Sequence, residues 1–460
     1  MRVRTGLTAA IAGALIWAGS AEAKTFEVTR ANDPSPGNCK RNDCSLREAV
    51  RAANARPGRD VVLLRNRKKP YSLSRAGTGE DDALTGDLDI TNDALTIEHR
   101  GRGTATVDAQ GIDRAFEAFD QAPVRFVKVR ITGGNDTSGN GGGGLRTDAN
   151  ATLVKSVVSG NSSSDIGGGI DADLDADLVI TRSRFNGNTS DETGGGIATS
   201  VDGRLTLKRS RVTGNDAQDA AGGVQVISAV GALIKQSTIA GNEAVDSSGG
   251  IHAVVNTTPS TIRIVESTIS GNTAGFDGGG LTVAEGHDVR LVNSTIAGNE
   301  ANDNGGGIAT FDGSTVSLNA VTVARNNSGA DDPGPAPTTG GGIYMIDSTF
   351  EVENSLIGLN TIGIGGIQRN DCEGETFASL GNNLVSDDTE CDGFTATGDI
   401  TNVSPKLDKL ARNGGPTKTA ALRKGSQAIG KARRSSAPNR DQRGRKRDAK
   451  PDIGAFERGA

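Results

Sequence analysis

One phrase recurs along this chain and limits what the chain can fold into. Residues 293–308 read NSTIAGNEANDNGGGI, residues 266–281 read ESTISGNTAGFDGGGL, and residues 182–197 read RSRFNGNTSDETGGGI. An Asn marks each copy, at Asn161, Asn188, Asn215, Asn242, Asn272, Asn299, Asn326 and Asn360, with spacings of 27, 27, 27, 30, 27, 27 and 34 residues. A fixed period of this size is the signature of a solenoid. Three residues before each Asn stands an apolar residue, from Val158 and Phe185 to Ile357. Five residues before it stands a Ser column, Ser156 to Ser355, broken once by Val321. A second apolar column follows the glycines, from Leu145 and Ile170 to Ile343.

Within a unit the apolar residues alternate, as in Val316, Leu318, Val321 and Val323. Period two means strand. Several short strands per 27 residues, broken by Gly, Asn and Asp, fit one turn of a parallel β-helix with coils about 4.8 Å apart. The glycines are expected where one face bends into the next. The Asn column is expected to point inward at a corner, each amide bonding the Asn of the coils above and below. A buried amide without partners is costly, and a ladder of identical residues satisfies it. The phrase therefore reads as a building block and not as a repeated ligand site. A chain with 65 glycines and 3% aromatics would otherwise suggest disorder. A solenoid core, however, needs only small aliphatic side chains.

The ends read differently. MRVR, the apolar LTAAIAGALIWAG and Ala21-Glu22-Ala23 form a secretory leader over 1–23. The apolar run is short for a membrane span, and no second one follows, so no transmembrane segment is expected in the mature chain. The expected organisation is an N-terminal cap at 24–64, a β-helix at 65–370 and a C-terminal cap or tail at 371–460. Four cysteines in an exported chain favour disulfides. Of three pairings, Cys39–Cys44 and Cys372–Cys391 are expected, because the two pairs lie at opposite ends of a rod. In CSLREAVRAAN (44–54), Ser45 and Glu48 are placed to form a capping box. Leu46, Ala49, Val50 and Ala53 then share the helical face that closes the first coil.

The stretch CSLREAV (44–50), with GEDDALTGDLDI (79–90), resembles the CSLREA domain of secreted bacterial β-helix proteins. NGGPTKTAAL, GSQAIG and DQRGRKRDAKPDIGAFE, within 413–457, are similar to the end of choice-of-anchor Q domain proteins. The repeats also resemble those of polymorphic outer-membrane proteins, which pair GGxI with FxxN, as at Phe185–Asn188. The resemblance implies an all-β fold, a right-handed single-stranded parallel β-helix of the pectin-lyase type. It also implies export, often with a tether to the envelope, and no settled activity. With no apolar tail or sorting signal before Ala460, release or non-covalent attachment is expected.

Chemistry is sparse. His99, His252 and His287 have no Cys or second His at metal-ligand spacing, and no nucleophile-elbow or phosphate-loop motif stands in context. No cofactor and no metal site is expected. The acidic runs DADLDAD (171–177) and GEDD (79–82) with Asp87 and Asp89 read as solvated loops. A polar strip is expected on the outer face, one residue after the inward column: Arg146, Asp171, Gln225, His252 and Tyr344, with Asp148 and Asp173 two further on. Sugars bind such strips, and carboxylate pairs can work on glycosidic bonds. β-Helix lyases and hydrolases, which the fold resembles, use an outward face of this kind. Asp171 and Asp173 are expected to be exposed on one strand, about 6.6 Å apart, with His252 some 14 Å away along the rod.

Residues 406–458 carry 16 Lys/Arg and 5 Asp/Glu, net +11, whereas the whole mature chain is net −7. A basic end on an acidic rod can meet anionic envelope polymers. Without interleaved aromatics, nucleic acid is not an expected partner. The reading favoured is an exported, monomeric, non-catalytic β-helix, surface-associated or secreted, with a structural, adhesive or glycan-binding role. The alternative is a polysaccharide lyase or glycosidase using the outward polar face.

Overall fold

The computed structural model describes residues 22–200, 202–227, 230–254, 260–329 and 339–460. Nearly all of the secretory leader expected over 1–23 therefore lies outside the described residues. The chain winds as a right-handed parallel β-solenoid of about ten turns. One coil shows the plan. Ile170–Ala172, Leu178–Thr181, Arg184–Asn186 and Thr189–Ser190 are its four strands, each pairing in parallel with its equivalent one coil away. Four sheets result. The first has 13 strands, Thr25–Val28 to Ala378–Gly381. The second has 11, Leu88–Ile90 to Cys372–Gly374. The third has 13, Tyr71–Ser72 to Ile400–Thr401, and a narrow fourth has ten two-residue strands.

The inward columns fill the rod. Ile170, Ile197, Val224, Ile251, Leu281, Ile308 and Ile343 are fully buried in register, as are Val158, Phe185, Val212, Ile239 and Ile269 opposite them. Each such side chain contributes about 1.5–3 kcal/mol through burial.

At the corner between the third and fourth sheets the asparagines are buried and linked in one direction. Asn161 Nδ2 donates to Asn188 Oδ1 at 2.9 Å, Asn188 to Asn215 at 2.9 Å, Asn215 to Asn242 at 2.9 Å, and so on to Asn360. Each Nδ2 also reaches a carbonyl of the preceding coil, as Asn242 does to Val212 at 3.2 Å. The series ends on Asp371, whose Oδ1 accepts from Asn360 Nδ2 at 3.0 Å. A carboxylate suits the last position because it accepts and has no further rung to supply. Beside this ladder, the Ser hydroxyls accept backbone N–H groups from one coil earlier, as Ser183 does from Ser156 at 3.1 Å and Ser355 from Val321 at 3.1 Å. In runs such as 194–196 and 305–307 only the first glycine has a left-handed backbone, Gly194 at φ +70° and Gly305 at φ +63°. The others are small because coils approach closely. A Cβ at Gly223 would lie 2.5 Å from the Gly250 carbonyl oxygen.

The helix Leu46–Asn54 closes the N-terminal end. Ser45 accepts from the Glu48 N–H, and Glu48 accepts from the Ser45 N–H, completing the capping box. Arg47 is fully buried, paired in a fork with Asp33 and donating to the carbonyls of Thr85, Gly86 and Asp87. Disulfides join Cys39 to Cys44 and Cys372 to Cys391. At the far end Phe350 meets Phe377 edge to face, and Phe377 stacks on Phe394. The chain after Thr401 then turns back along the outer face of the third sheet. Thr268 donates to the Lys418 carbonyl, Thr295 to Gln442 Oε1, and Ala455 N–H donates to Thr322. Arg447, fully buried, is held within this strap by Glu457 and the Gly454 carbonyl and fixes it to Asn293 of the rod. Among the described residues no helix is long and apolar enough to cross a membrane.

Candidate functional site

The second sheet carries the polar strip. Its outward column runs Asp89, Glu117, Arg146, Asp171, Ala198, Gln225, His252, Thr282, Ala309, Tyr344 in register. Arg146 is the centre of its N-terminal half. Its guanidinium donates to Glu117 Oε1 at 2.9 Å, Asp148 Oδ2 at 3.1 Å and Asp173 Oδ2 at 3.2 Å, and Nε donates to the Asn140 carbonyl. Burial opposes its charge, but the carboxylates of Asp148 and Glu117 outweigh burial and raise its pKa. Gln225 and His252 are neighbours two and three coils from Asp171, separated from it by Ala198.

Four expectations are corrected. Asp171 is not exposed: 1% of it meets solvent, and its carboxylate lies under the loop glycines Gly141 and Gly167. Burial first, then the nearby Asp173 charge, raises its pKa well above the usual carboxylate range. Asp171 and Asp173 do not share a strand, because the strand ends at Ala172 and residues 173–176 form a turn with Leu174 at φ +49°. DADLDAD therefore does not present one row of carboxylates. Gln225 is buried, and the Oε1 of Gln225 and the Nδ1 of His252 are shut from solvent without a partner. Burial lowers the His252 pKa to about 4, so the imidazole is neutral at pH 7. Asp87 and Asp89 are also not solvated, being 4% and 0% exposed. Burial first, then repulsion from neighbouring carboxylates, pushes both upward.

Two features escaped the sequence reading. Glu117, on the strand Phe116–Ala118, joins Asp87 and Asp89 to the strip and pairs with both Arg114 and Arg146. No motif marks Glu117, since its coil precedes the regular phrase. The second feature is a basic face where the first sheet turns into the third. Five stacked segments, 125–132, 152–159, 179–186, 206–213 and 233–240, hold ten Lys/Arg and no Asp/Glu. The corner residues Lys128, Lys155, Arg182 and Arg209 stack with φ near +53°, tied coil to coil through their backbone N–H groups. Two residues on, Arg130, Arg184 and Arg211 project from the third sheet. Arg182, Arg184 and Arg211 are exposed and have no carboxylate partner among the described residues. With Gln236 and Pro416 of the strap they line a groove of about 240 Å³. Aligning the repeats shows this acid-free band, so the signal was present in the sequence.

Residues 195–386 match the family model described as right handed beta helix region. Among solved structures, the crystal structure of pectate lyase Pel9A is similar over 96% of this chain and 98% of that one, at 14% identity and a TM-score of 0.48. Nothing about substrate follows from likeness at that level. No curated protein sequence matches the chain.

Proposed function

We propose that this chain is an exported, non-catalytic β-helix protein that binds anionic polysaccharide, at the cell surface or after release, through its basic face. The observation that carries the reading is the acid-free band: ten cations on five consecutive coils of a chain whose net charge is −6. Coils repeat about every 4.8 Å along the rod, so the arginine columns form an axial row of charges suited to an extended glycan with an anionic group on successive sugars. Guanidinium groups recognise carboxylate and sulfate as two-pronged donors. The two disulfides and the leader-like residues 1–23 support an oxidising, exported setting.

The same geometry speaks against catalysis on the polar strip. A glycosidase needs two carboxylates facing one sugar, about 5–9.5 Å apart. Here Asp171 is covered, and Asp148 and Asp173 are already held by Arg146. Nucleic acid is disfavoured because Phe126 and Phe185, the aromatics of the five segments, are buried inward and offer no stacking surface.

The test is a panel of immobilised polygalacturonate, alginate, a sulfated glycan and a neutral glucan, scored for both retention and release of fragments. The anionic polymers are expected to retain the protein, with retention falling between about 50 and about 500 mM salt. The double variant Arg184→Glu, Arg211→Glu should pass through unretained. Cleavage of any polymer, or undiminished retention of the double variant, would overturn the proposal.

A further inference from the structure

We infer that Asp87, Asp89 and Glu117 form a binding site for a hard divalent cation, calcium in the first place, that locks the N-terminal cap onto the first coils. Asp89 and Glu117 face each other in register on the strands Leu88–Ile90 and Phe116–Ala118. Asp87 immediately precedes the first of these strands. One carboxylate oxygen from each of the three residues lies within 4.8 Å of the other two. Acidic side chains often gather on surfaces without a ligand, but these are not on the surface. Asp89 is 0% exposed; its Oδ2 accepts the Ala83 N–H at 2.7 Å, while its Oδ1 is buried without any donor. An orphaned carboxylate oxygen inside a protein is costly and calls for a partner.

The cations on hand do not supply it. Arg114 reaches Asp87 at 3.3 Å, Glu117 at 3.4 Å and Asp136 at 3.2 Å, and Arg146 is committed to Glu117, Asp148 and Asp173. Neither pairs with Asp89. The donors are all oxygen, and no His or Cys stands among them. That chemistry selects calcium or magnesium over zinc or copper. Calcium accepts irregular oxygen surroundings whereas magnesium demands a near-ideal octahedron, which makes calcium the first candidate for carboxylates drawn from two strands and a strand entry.

The consequence lies in the cap. The loop before Asp87 is pinned from one side by Arg47, which donates to the Thr85, Gly86 and Asp87 carbonyls. Gly86, at φ +55°, lies so close to Gly77 that a Cβ there would stand 2.3 Å from the Gly77 carbonyl oxygen. A cation on Asp87 and Asp89 would pin the same loop from the other side, joining the helix Leu46–Asn54, the loop and the second sheet. The inference does not depend on the polysaccharide reading.

The test uses the full mature chain, stripped with a chelator and dialysed. Metal content after calcium loading is read by elemental analysis, binding by terbium luminescence with calcium competition, and cap order by hydrogen exchange of residues 44–54 and 77–90. One calcium per chain is expected, with slower exchange in both segments. Asp89→Asn should weaken binding on the order of tenfold or more and abolish the change in exchange. Should Asp89→Asn fail to fold, Glu117→Gln at the half-buried rim tests the same site and should weaken binding likewise. Wild-type protein that holds no calcium at millimolar concentration would overturn the inference. So would calcium binding that is unchanged in both variants, which would place the ion elsewhere, for example at the turn Asp173–Asp177.

Discussion

Replacing Asn242 by Leu tests the corner ladder in mid-rod. Asn242 Oδ1 accepts from the Asn215 N–H at 3.1 Å and from Asn215 Nδ2 at 2.9 Å, while its own Nδ2 donates to Asn272 at 2.9 Å and to the Val212 carbonyl at 3.2 Å. The leucine removes all four bonds. Asn272 Oδ1 keeps the residue-242 N–H, and Asn215 Nδ2 keeps a long contact to the Phe185 carbonyl at 3.4 Å. The Asn215 N–H keeps nothing. One fully orphaned buried donor costs about 1–3 kcal/mol, and the weakened partners add to it. The site is also tight, since a Cβ at Gly223 would lie only 3.0 Å from Asn242 Nδ2. A net loss of about 3 kcal/mol follows, part of it offset by the apolar side chain. Because solenoid stability is set between neighbours, the loss should be local. The chain's single Trp, Trp17, falls in the expected leader, so hydrogen exchange is a better reporter than intrinsic fluorescence. Amides of coils 215–272 should exchange roughly a hundredfold faster, and those near Leu145 should not change. Exchange at the wild-type rate around Asn242 would refute the argument that these amides depend on one another.

Asp371→Asn replaces the acceptor that ends the ladder; its Oδ2 takes the Ser386 hydroxyl at 2.6 Å and the Asp387 N–H at 2.9 Å, and an amide there leaves the latter unpaired. A loss of about 1–3 kcal/mol is expected in urea unfolding followed by circular dichroism. His252 titrates near 4 folded, against about 6.5 unfolded, because burial disfavours the imidazolium. Its contribution is present above pH 6.5 and is lost as pH falls toward 4, by at most about 3 kcal/mol. His252→Gln should flatten the stability profile between those limits, and an unchanged profile would place the pH dependence elsewhere.

How much of this was written in the sequence follows from the physics of stacking. In a solenoid, equal spacing along the chain is equal position in space. The 27-residue period alone therefore placed the asparagines on one corner, Ile197 over Ile170, and the cysteine pairs at separate ends. Ser45 and Glu48 were legible for a similar reason, because a capping box is settled within four residues. The basic face was equally local but needed the corner columns compared side by side. What the period could not give was what covers each column. Asp171 and Asp173 look alike in sequence, yet Gly141 and Gly167 close over the first and leave the second in a turn. Asp371 ends the Asn ladder from outside the phrase, 11 residues beyond Asn360. The C-terminal strap buries Thr268, Thr295 and Thr322 of the third sheet and stops short of Arg184 and Arg211, which stand in the same column. Register is a property of the repeat and can be read from one dimension. Burial depends on which distant segment lies over a side chain, and here loops and a strap with no period decide it.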